Sequence, residues 1–307
     1  MKKNILLLFT LVIMAIGVTA VSCWATEPAL GWLYYDDGTA GNPSSTSKFQ
    51  GVRFSLPDGV VKTQLFTILF YYSCSDSCPL TIHITGYDHK TKLIAPISVF
   101  AYDSWNEIDV SRYNIVVPHN FYIILERVGE GVPYVDANED DEGRSFTGRH
   151  LASMNTLLSR NLLIEAELGS PVSIPILKEW NVSVTKKLKI SIKGHASEIG
   201  NSDYSERWTL YADGSFATDS YLYGIWKKKD NKCIVSLDPE DMIDSIENMV
   251  DDHISRVKVT KINFTWKERK DGTIRGSYKI YAAAFFEDYN NLGMIRLQGS
   301  FTGAPFK

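Results

Sequence analysis

Short runs in which apolar and polar residues alternate restrict the possible folds of this chain more than any other feature. In residues 187–193, Leu188, Ile190 and Ile192 alternate with lysines and a serine. Successive side chains of a β-strand point to opposite faces, so this alternation is typical of a strand with one buried and one wet face. Similar runs, rich in β-branched and aromatic residues, are separated by Gly, Asp, Asn and Ser clusters. We therefore expect an all-β protein.

The first 25 residues follow a different pattern. Lys2 and Lys3 precede an apolar run over residues 5–18, and small residues follow as far as Ala25. This order is typical of a secretory signal peptide, and the apolar run is too short for a transmembrane span. We therefore expect an extracytoplasmic protein that is secreted, periplasmic or held in the cell envelope.

Two positions for signal cleavage remain open. Cleavage after Ala25 fits a small-x-small pattern, whereas residues 20–23 (AVSC) resemble a bacterial lipobox, with Ala20 at the position that usually holds Leu. In the second case Cys23 would be lipid-modified and would anchor the protein to a membrane face. Beyond residue 25, no apolar run is long enough to cross a bilayer.

The acidic residues are concentrated in the first half of the chain. The 307 residues carry a net charge of −4; residues 26–172 contain 10 basic and 18 acidic residues, and residues 173–307 contain 20 and 18. An acidic first half argues against nucleic acid as a partner, because phosphate binding requires a basic surface. The acidic excess indicates either a solvated surface or cation binding.

Turn signals divide the mature chain into two units. We expect a β-sandwich over residues 26–170, a linker over 171–180 that follows the Gly-Ser-Pro break, and a second domain over 181–307. Short strands separated by frequent turns are typical of sandwiches and barrels.

Four short segments occur in order in the first half. They are residues 32–38 (WLYYDDG), 52–54 (VRF), 143–146 (GRSF) and 161–166 (NLLIEA). Together they resemble the jelly-roll β-sandwich modules of bacterial and archaeal secreted proteins, over roughly residues 30–170. The resemblance implies a jelly-roll-like accessory domain and no single activity.

The second half reads as about eight strands joined mostly by short turns. Gly224-Ile225-Trp226 resembles the Gly-x-Trp signature of lipocalin-like (calycin) barrels, although it falls in a middle strand rather than the first. The resemblance implies an antiparallel barrel, and such barrels commonly enclose a small apolar ligand. Bulky residues could instead fill the interior: Tyr221, Tyr223, Trp226, Tyr278, Tyr281, Phe285 and Phe286.

One short helix is predicted between these strands. Residues 239–250 begin with a proline and two acids and continue with apolar residues at helical spacing. We expect the helix to pack on the end of the barrel, with a lid over a ligand cavity as the alternative.

The cysteines predict one disulfide. Cys74 and Cys78 are expected to pair in an oxidising compartment. Cys233 has no obvious partner and is expected to be a buried, small apolar residue. No second ligand pair follows that would indicate a zinc site.

The densest acidic segment offers a metal site. Asp136, Asn138 and Asp140 alternate, which places oxygen ligands on one side of a loop and suits calcium. A solvated acidic turn is the alternative. We expect no other cofactor.

Aromatic residues in the first half could stack on sugar rings, or could serve only as core and cross-strand pairs. They are Trp32, Tyr34, Tyr35, Trp105 and Tyr113.

The sequence contains no His-Glu-x-x-His, no Gly-x-Ser-x-Gly and no glycine-rich phosphate loop. We therefore expect a non-enzymatic, exported binding or adhesion protein whose partner is an envelope or extracellular carbohydrate, lipid or protein. Two alternatives remain: a carrier of a small apolar ligand in the second-half barrel, and an envelope hydrolase whose carboxylates meet only in space.

Overall fold

A computed structural model describes residues 29–306 except 37, 45, 87–90, 138–143, 152–153, 155, 158–159, 193–194, 221, 231, 238–253 and 287–290. The all-β prediction is confirmed: apart from one 3-10 turn at Ser111–Tyr113, every regular element within these residues is a strand. Among them, no helix is long and apolar enough to cross a membrane. The predicted helix over 239–250 lies within residues 238–253 and so falls outside the described residues.

The described residues of the first half form eleven strands. They are β1 (Gly31–Leu33), β2 (Ala40–Pro43), β3 (Phe49–Ser55), β4 (Lys62–Gly86), β5 (Ile97–Asp109), β6 (Ile115–Pro118), β7 (Asn120–Arg127), β8 (Val132–Asp136), β9 (Ser145–Gly148), β10 (Thr156–Leu157) and β11 (Ile164–Pro171).

These strands form a curled, sandwich-like sheet. Its main path runs β1-β11-β4-β7-β3-β9-β10, and β5, β6 and β8 also pair with β4. The long strand β4 connects the two ends of this sheet, because its first part pairs with β11 and its last part pairs with β7. Its register with β5 shifts between Tyr72 and Ser77, where a bulge lets the strand bend.

Alternate residues of the sheet fill a sealed interior. Phe54, Leu65, Phe70, Ile82 and Phe121 are fully buried in this core. Burying such large apolar side chains provides the main driving force for folding of this half.

Eight strands are formed by the part of the second half that the structure describes. They are β12 (Ile176–Ile192), β13 (His195–Tyr211), β14 (Ser215–Thr218), β15 (Tyr223–Lys229), β16 (Lys232–Leu237), β17 (Ile254–Glu268), β18 (Ile274–Phe286) and β19 (Asn291–Pro305).

These strands close into an antiparallel barrel in chain order, and β19 pairs with β12. The expected eight-stranded barrel is therefore confirmed. The predicted linker covered residues 171–180, but only residues 172–175 lie between β11 and β12, because the next five residues already belong to β12.

The two halves contact each other through a few specific groups. The ring of Tyr223 in β15 stacks on His119 with ring centroids 3.5 Å apart, and the backbone N–H of Gly59 donates to the Tyr223 hydroxyl at 3.0 Å. Lys62 forms an ion pair with Asp213 across the same junction.

The structure contains Cys74 and Cys78 as free thiols. The Cys74 thiol donates to the carbonyl oxygens of Asp76 and Ala101, at 3.1 and 3.3 Å. The disulfide is therefore absent from this structure and stays a prediction for an oxidising environment. Cys233 is half-buried against the barrel core, and burial raises the pKa of its thiol to about 12.

Candidate functional site

The register of β12 and β13 decides which side chains enter the barrel. Trp180 pairs with Trp208, Val182 with Glu206, and Val184 with Tyr204. Side chains two residues apart on a strand share a face, so each of these pairs projects inward. The interior therefore changes along the barrel from tryptophan at one end to polar groups towards the other.

Aromatic rings fill the first end. The Trp208 ring lies 4.5 to 5.8 Å, centroid to centroid, from the rings of Phe216, Phe264, Trp266 and Phe301. Trp180 packs edge-on against Trp266, and its indole N–H donates to the Gly272 carbonyl oxygen at 2.9 Å. Because these packed rings fill the space between the strands, this end of the barrel is closed. Aromatic pairs of this kind are stabilising beyond their buried area.

Above this aromatic base lies a cavity of about 270 Å³. Apolar and aromatic side chains dominate its walls, with a smaller polar group. The lining residues are Val184, Lys186, Tyr204, Glu206, Trp208, Phe216, Thr218, Ser220, Leu222, Leu237, Phe264, Tyr278, Ile280 and Leu297.

A glycine makes room for one wall of the cavity. Gly299 stands at an inward position of β19 and pairs with Tyr278 of β18. A Cβ at Gly299 would lie 2.6 Å from the Tyr278 ring, so that ring can lie over the glycine only because no side chain is there.

Glu206 is held in place by donors from the cavity wall. The Trp208 indole N–H donates to one carboxylate oxygen at 2.7 Å, and the Ser220 hydroxyl donates to the other. Both oxygens of this half-buried carboxylate are therefore engaged by neighbouring donors.

Tyr204, Tyr278 and Lys186 also line this cavity. Burial raises the pKa values of the Tyr204 and Tyr278 phenols, and the charge on Glu206 raises both further. Burial lowers the pKa of the Lys186 ammonium. Both tyrosines therefore keep their protons at neutral pH and serve as hydrogen-bond donors.

A second, smaller cavity of about 160 Å³ lies between the two halves. His119 and Tyr223 form part of its wall. His119 Nδ1 lies 2.9 Å from the Val60 carbonyl oxygen, and burial lowers the pKa of the imidazole to about 4. The ring is therefore neutral at physiological pH, with Nδ1–H as the donor.

The residues predicted to bind calcium are only partly described. Asp136 is buried at the end of β8, where its backbone N–H donates to the Asn161 carbonyl oxygen at 2.8 Å. Asn138 and Asp140 lie outside the described residues. Within the described part of the chain, no group of three or more His, Cys, Asp or Glu side chains could hold a metal ion. The calcium site stays a prediction.

The aromatic residues proposed for sugar stacking separate into two groups. Trp32, Tyr34 and Tyr113 are exposed. Trp105 is half-buried and packs edge-on against Tyr71. Tyr35 is also half-buried: its hydroxyl accepts from the backbone N–H of Ser55 at 3.0 Å, and the Arg144 guanidinium lies over its ring. Tyr35 is thus part of the packing, whereas Trp32 and Tyr34 remain accessible.

The barrel fillers expected from the sequence do not all point inward. Tyr278 lines the cavity and Trp226 packs against the barrel core. Tyr223 points outward to His119, because Gly224 and Trp226 take the inward positions of β15. Tyr281 is half-buried near Arg296. The structure describes neither Tyr221 nor the side chains of Phe285 and Phe286.

The sequence reasoning missed Lys186 and Glu206. A signal was present, since Trp180, Val182, Val184 and Lys186 share one parity along β12. Lysine and glutamate are read as wet-face residues by default, and only the closed barrel shows that their strand positions face inward.

Comparison with known proteins gives no family. No family model matches the chain, and no curated protein matches it. Two solved structures are similar, each at 9% sequence identity. The match to the YwiB protein of Bacillus subtilis covers 42% of this chain and 95% of that one, with a TM-score of 0.18. The match to a protein of unknown function from Bacteroides ovatus covers 91% of this chain and 92% of that one, with a TM-score of 0.22. At these scores neither likeness carries an argument about this chain.

Proposed function

We propose that this protein is a non-enzymatic binding protein that holds a small, largely apolar ligand inside its C-terminal barrel. The observation that carries the proposal is the cavity above the tryptophan base. Ligand sites are typically concave, mostly apolar and equipped with a few polar groups, and this cavity has all three properties.

The size of the cavity limits the ligand. At about 270 Å³ it lies just below the range of roughly 300–1,000 Å³ that is usual for small-molecule sites. Eight-stranded barrels have interiors just wide enough for side chains or for one small ligand. A compact aryl or short alkyl body therefore suits the space better than a long lipid.

The resemblance of the second half to lipocalin-like barrels supports the same function, because such barrels commonly enclose small apolar molecules. A jelly-roll-like first half would then be an accessory domain. The expected signal peptide places the carrier outside the cytoplasm, and lipid attachment at Cys23 would hold it at a membrane face. Calcium at Asp136 would be structural.

Adhesion through the first half is a second candidate function. The register places Trp32 in a row with Glu167, Thr67 and Asp109, and Trp32 is 42% exposed. An accessible ring beside carboxylates suits stacking on a sugar and acceptance of its hydroxyl hydrogens. Trp32→Ala should abolish retention on an insoluble envelope polysaccharide; equal retention of variant and wild type would exclude this face.

Titration with the neutral fluorescent probe N-phenylnaphthylamine tests the carrier function. We expect saturable fluorescence enhancement with the full chain. Leu222→Trp places an indole into the cavity from a half-buried wall position and should weaken binding at least about tenfold.

Lys227→Trp is the matched control, because Lys227 is exposed on the adjoining strand β15. It should bind the probe as the wild type does. Absence of saturable binding to the folded wild type, or equal affinity in wild type and Leu222→Trp, would contradict the proposal.

A further inference from the structure

The polar groups of the barrel cavity differ in whether they already have partners. Both oxygens of Glu206 accept hydrogen bonds, from Trp208 and Ser220. Among the described residues, the Lys186 ammonium and the Tyr204 and Tyr278 hydroxyls have no hydrogen-bond or ion-pair partner. The cavity therefore offers unused donors, whereas its carboxylate is already engaged.

Strand register brings Lys186 and Tyr278 to one level of the barrel and places Tyr204 one inward position away. Gly299 of β19 pairs with Lys186 on one side and with Tyr278 on the other, so these two side chains flank a position without a side chain. Tyr204 pairs with Val184, the inward residue directly before Lys186. Neighbouring strands lie about 4.8 Å apart, so Lys186 and Tyr278 originate about 10 Å from each other.

Tyr278 is the most enclosed of the three. Its side chain is only 4% exposed, and its ring stacks on Phe264 at 5.6 Å. Its hydroxyl belongs to the cavity lining and can donate a hydrogen bond to an acceptor of a ligand there. The rings of Trp208 and Phe264 line the same cavity, and the apolar body of such a ligand would pack against them.

We propose that the ligand is a small monocarboxylate, whose carboxylate accepts hydrogen bonds from Lys186, Tyr204 and Tyr278 and whose apolar body lies against the aromatic base. This inference rests on the proposed carrier function and specifies the class of its ligand. Lys186 supplies the opposite charge that a carboxylate requires.

Competition against N-phenylnaphthylamine with three compounds of equal chain length tests the inference. We expect octanoate to displace the probe at concentrations about tenfold lower than octanol, and octylamine to be the weakest. Naphthylacetate in a parallel titration distinguishes an aryl from an alkyl body.

Two variants assign the effect to the named donors. Lys186→Met should reduce the preference for octanoate over octanol to about one, and Tyr278→Phe should reduce it severalfold. Lys187→Met is the matched control, because Lys187 is the next residue of β12 and lies exposed on the outer face. Each displacement is expressed relative to the affinity of the same variant for the neutral probe.

The outcomes separate the two proposals. Equal displacement by the three compounds, stronger displacement by octylamine, or an octanoate preference retained in Lys186→Met would overturn the carboxylate inference while leaving the carrier function intact. Failure of the wild type to bind the neutral probe would remove the carrier function itself.

Discussion

The sandwich and the barrel use the same alternation of side chains but reach different interiors. In the sandwich, fully buried apolar side chains of β3, β4 and β7 dominate the core, as Phe54, Leu65 and Phe121 illustrate. In the barrel, inward residues at one end are aromatic, whereas Glu206 and Lys186 line the cavity at two successive polar positions further along.

The difference follows from how each sheet encloses its interior. A curled sheet presses two inner faces together, so the side chains interdigitate and little space remains. A closed barrel of eight strands fixes its own diameter, and its interior is filled only where the side chains are large enough. Tryptophan side chains fill the closed end, Gly299 contributes no side chain to the wall, and the cavity lies between these two levels.

The same substitution in both regions should show the largest contrast. Leu65→Ala, in the sealed core, should destabilise the sandwich by roughly 4 kcal/mol, through lost burial and a new cavity. Leu297→Ala should cost about 2 kcal/mol, because the side of Leu297 that faces the cavity has fewer neighbours to lose.

Chemical denaturation, monitored by hydrogen exchange of β4 and β19, measures the loss of unfolding free energy in the two domains separately. Equal costs, or a larger one at Leu297, would mean that the barrel is packed as tightly as the sandwich.

The junction between the two regions should respond to pH. His119 is buried, and its pKa is lowered to about 4 from an ordinary value of 6.5. The unfolded chain therefore binds a proton at His119 between these values while the folded chain does not. The contribution of neutral His119 to the free energy of unfolding is fully present above pH 6.5. It is lost as the pH falls towards 4, by up to about 3 kcal/mol.

His119→Phe retains a ring against Tyr223 but cannot titrate, so it should flatten this part of the profile. The measurement is the free energy of unfolding against pH for wild type and variant. Identical slopes between pH 4 and 6.5 would show that His119 is not buried at the junction.

Two glycine substitutions should give the smallest contrast. A Cβ at Gly299 would lie 1.9 Å from the Thr185 carbonyl oxygen, so Gly299→Ala should destabilise the barrel by about 2 kcal/mol through overpacking. Gly59→Ala in the sandwich meets no atom within 4 Å, and only its φ of +83° opposes the change, at about 1 kcal/mol. Thermal unfolding compares them; a harmless Gly299→Ala would indicate that β12 and β19 do not approach as closely as described.

The sequence predicted the architecture better than the site. Alternation and turn residues were sufficient for an all-β chain and an eight-stranded barrel, because both depend on local patterns. The inward direction of Glu206 and the outward direction of Tyr223 could not be predicted. The alternation of positions along a strand shows which residues share a face, but it does not show which face is enclosed. Tyr223 was expected inside the barrel and lies against His119 instead.

The free donors of the cavity were beyond sequence reasoning for another reason. Lys186 and Tyr278 are far apart in the sequence, and they come to one level only through pairing of β19 with both β12 and β18. Long-range register of this kind is set by barrel closure, and no local pattern encodes it.

The most direct test of the central claim is the mass of the protein isolated from its own host, measured by native mass spectrometry before and after denaturation. The account predicts an additional mass that matches a small organic acid, that is released on denaturation, and that is absent from Leu222→Trp isolated in the same way. Identical masses before and after denaturation, or the same released mass from both proteins, would contradict a ligand bound in the barrel.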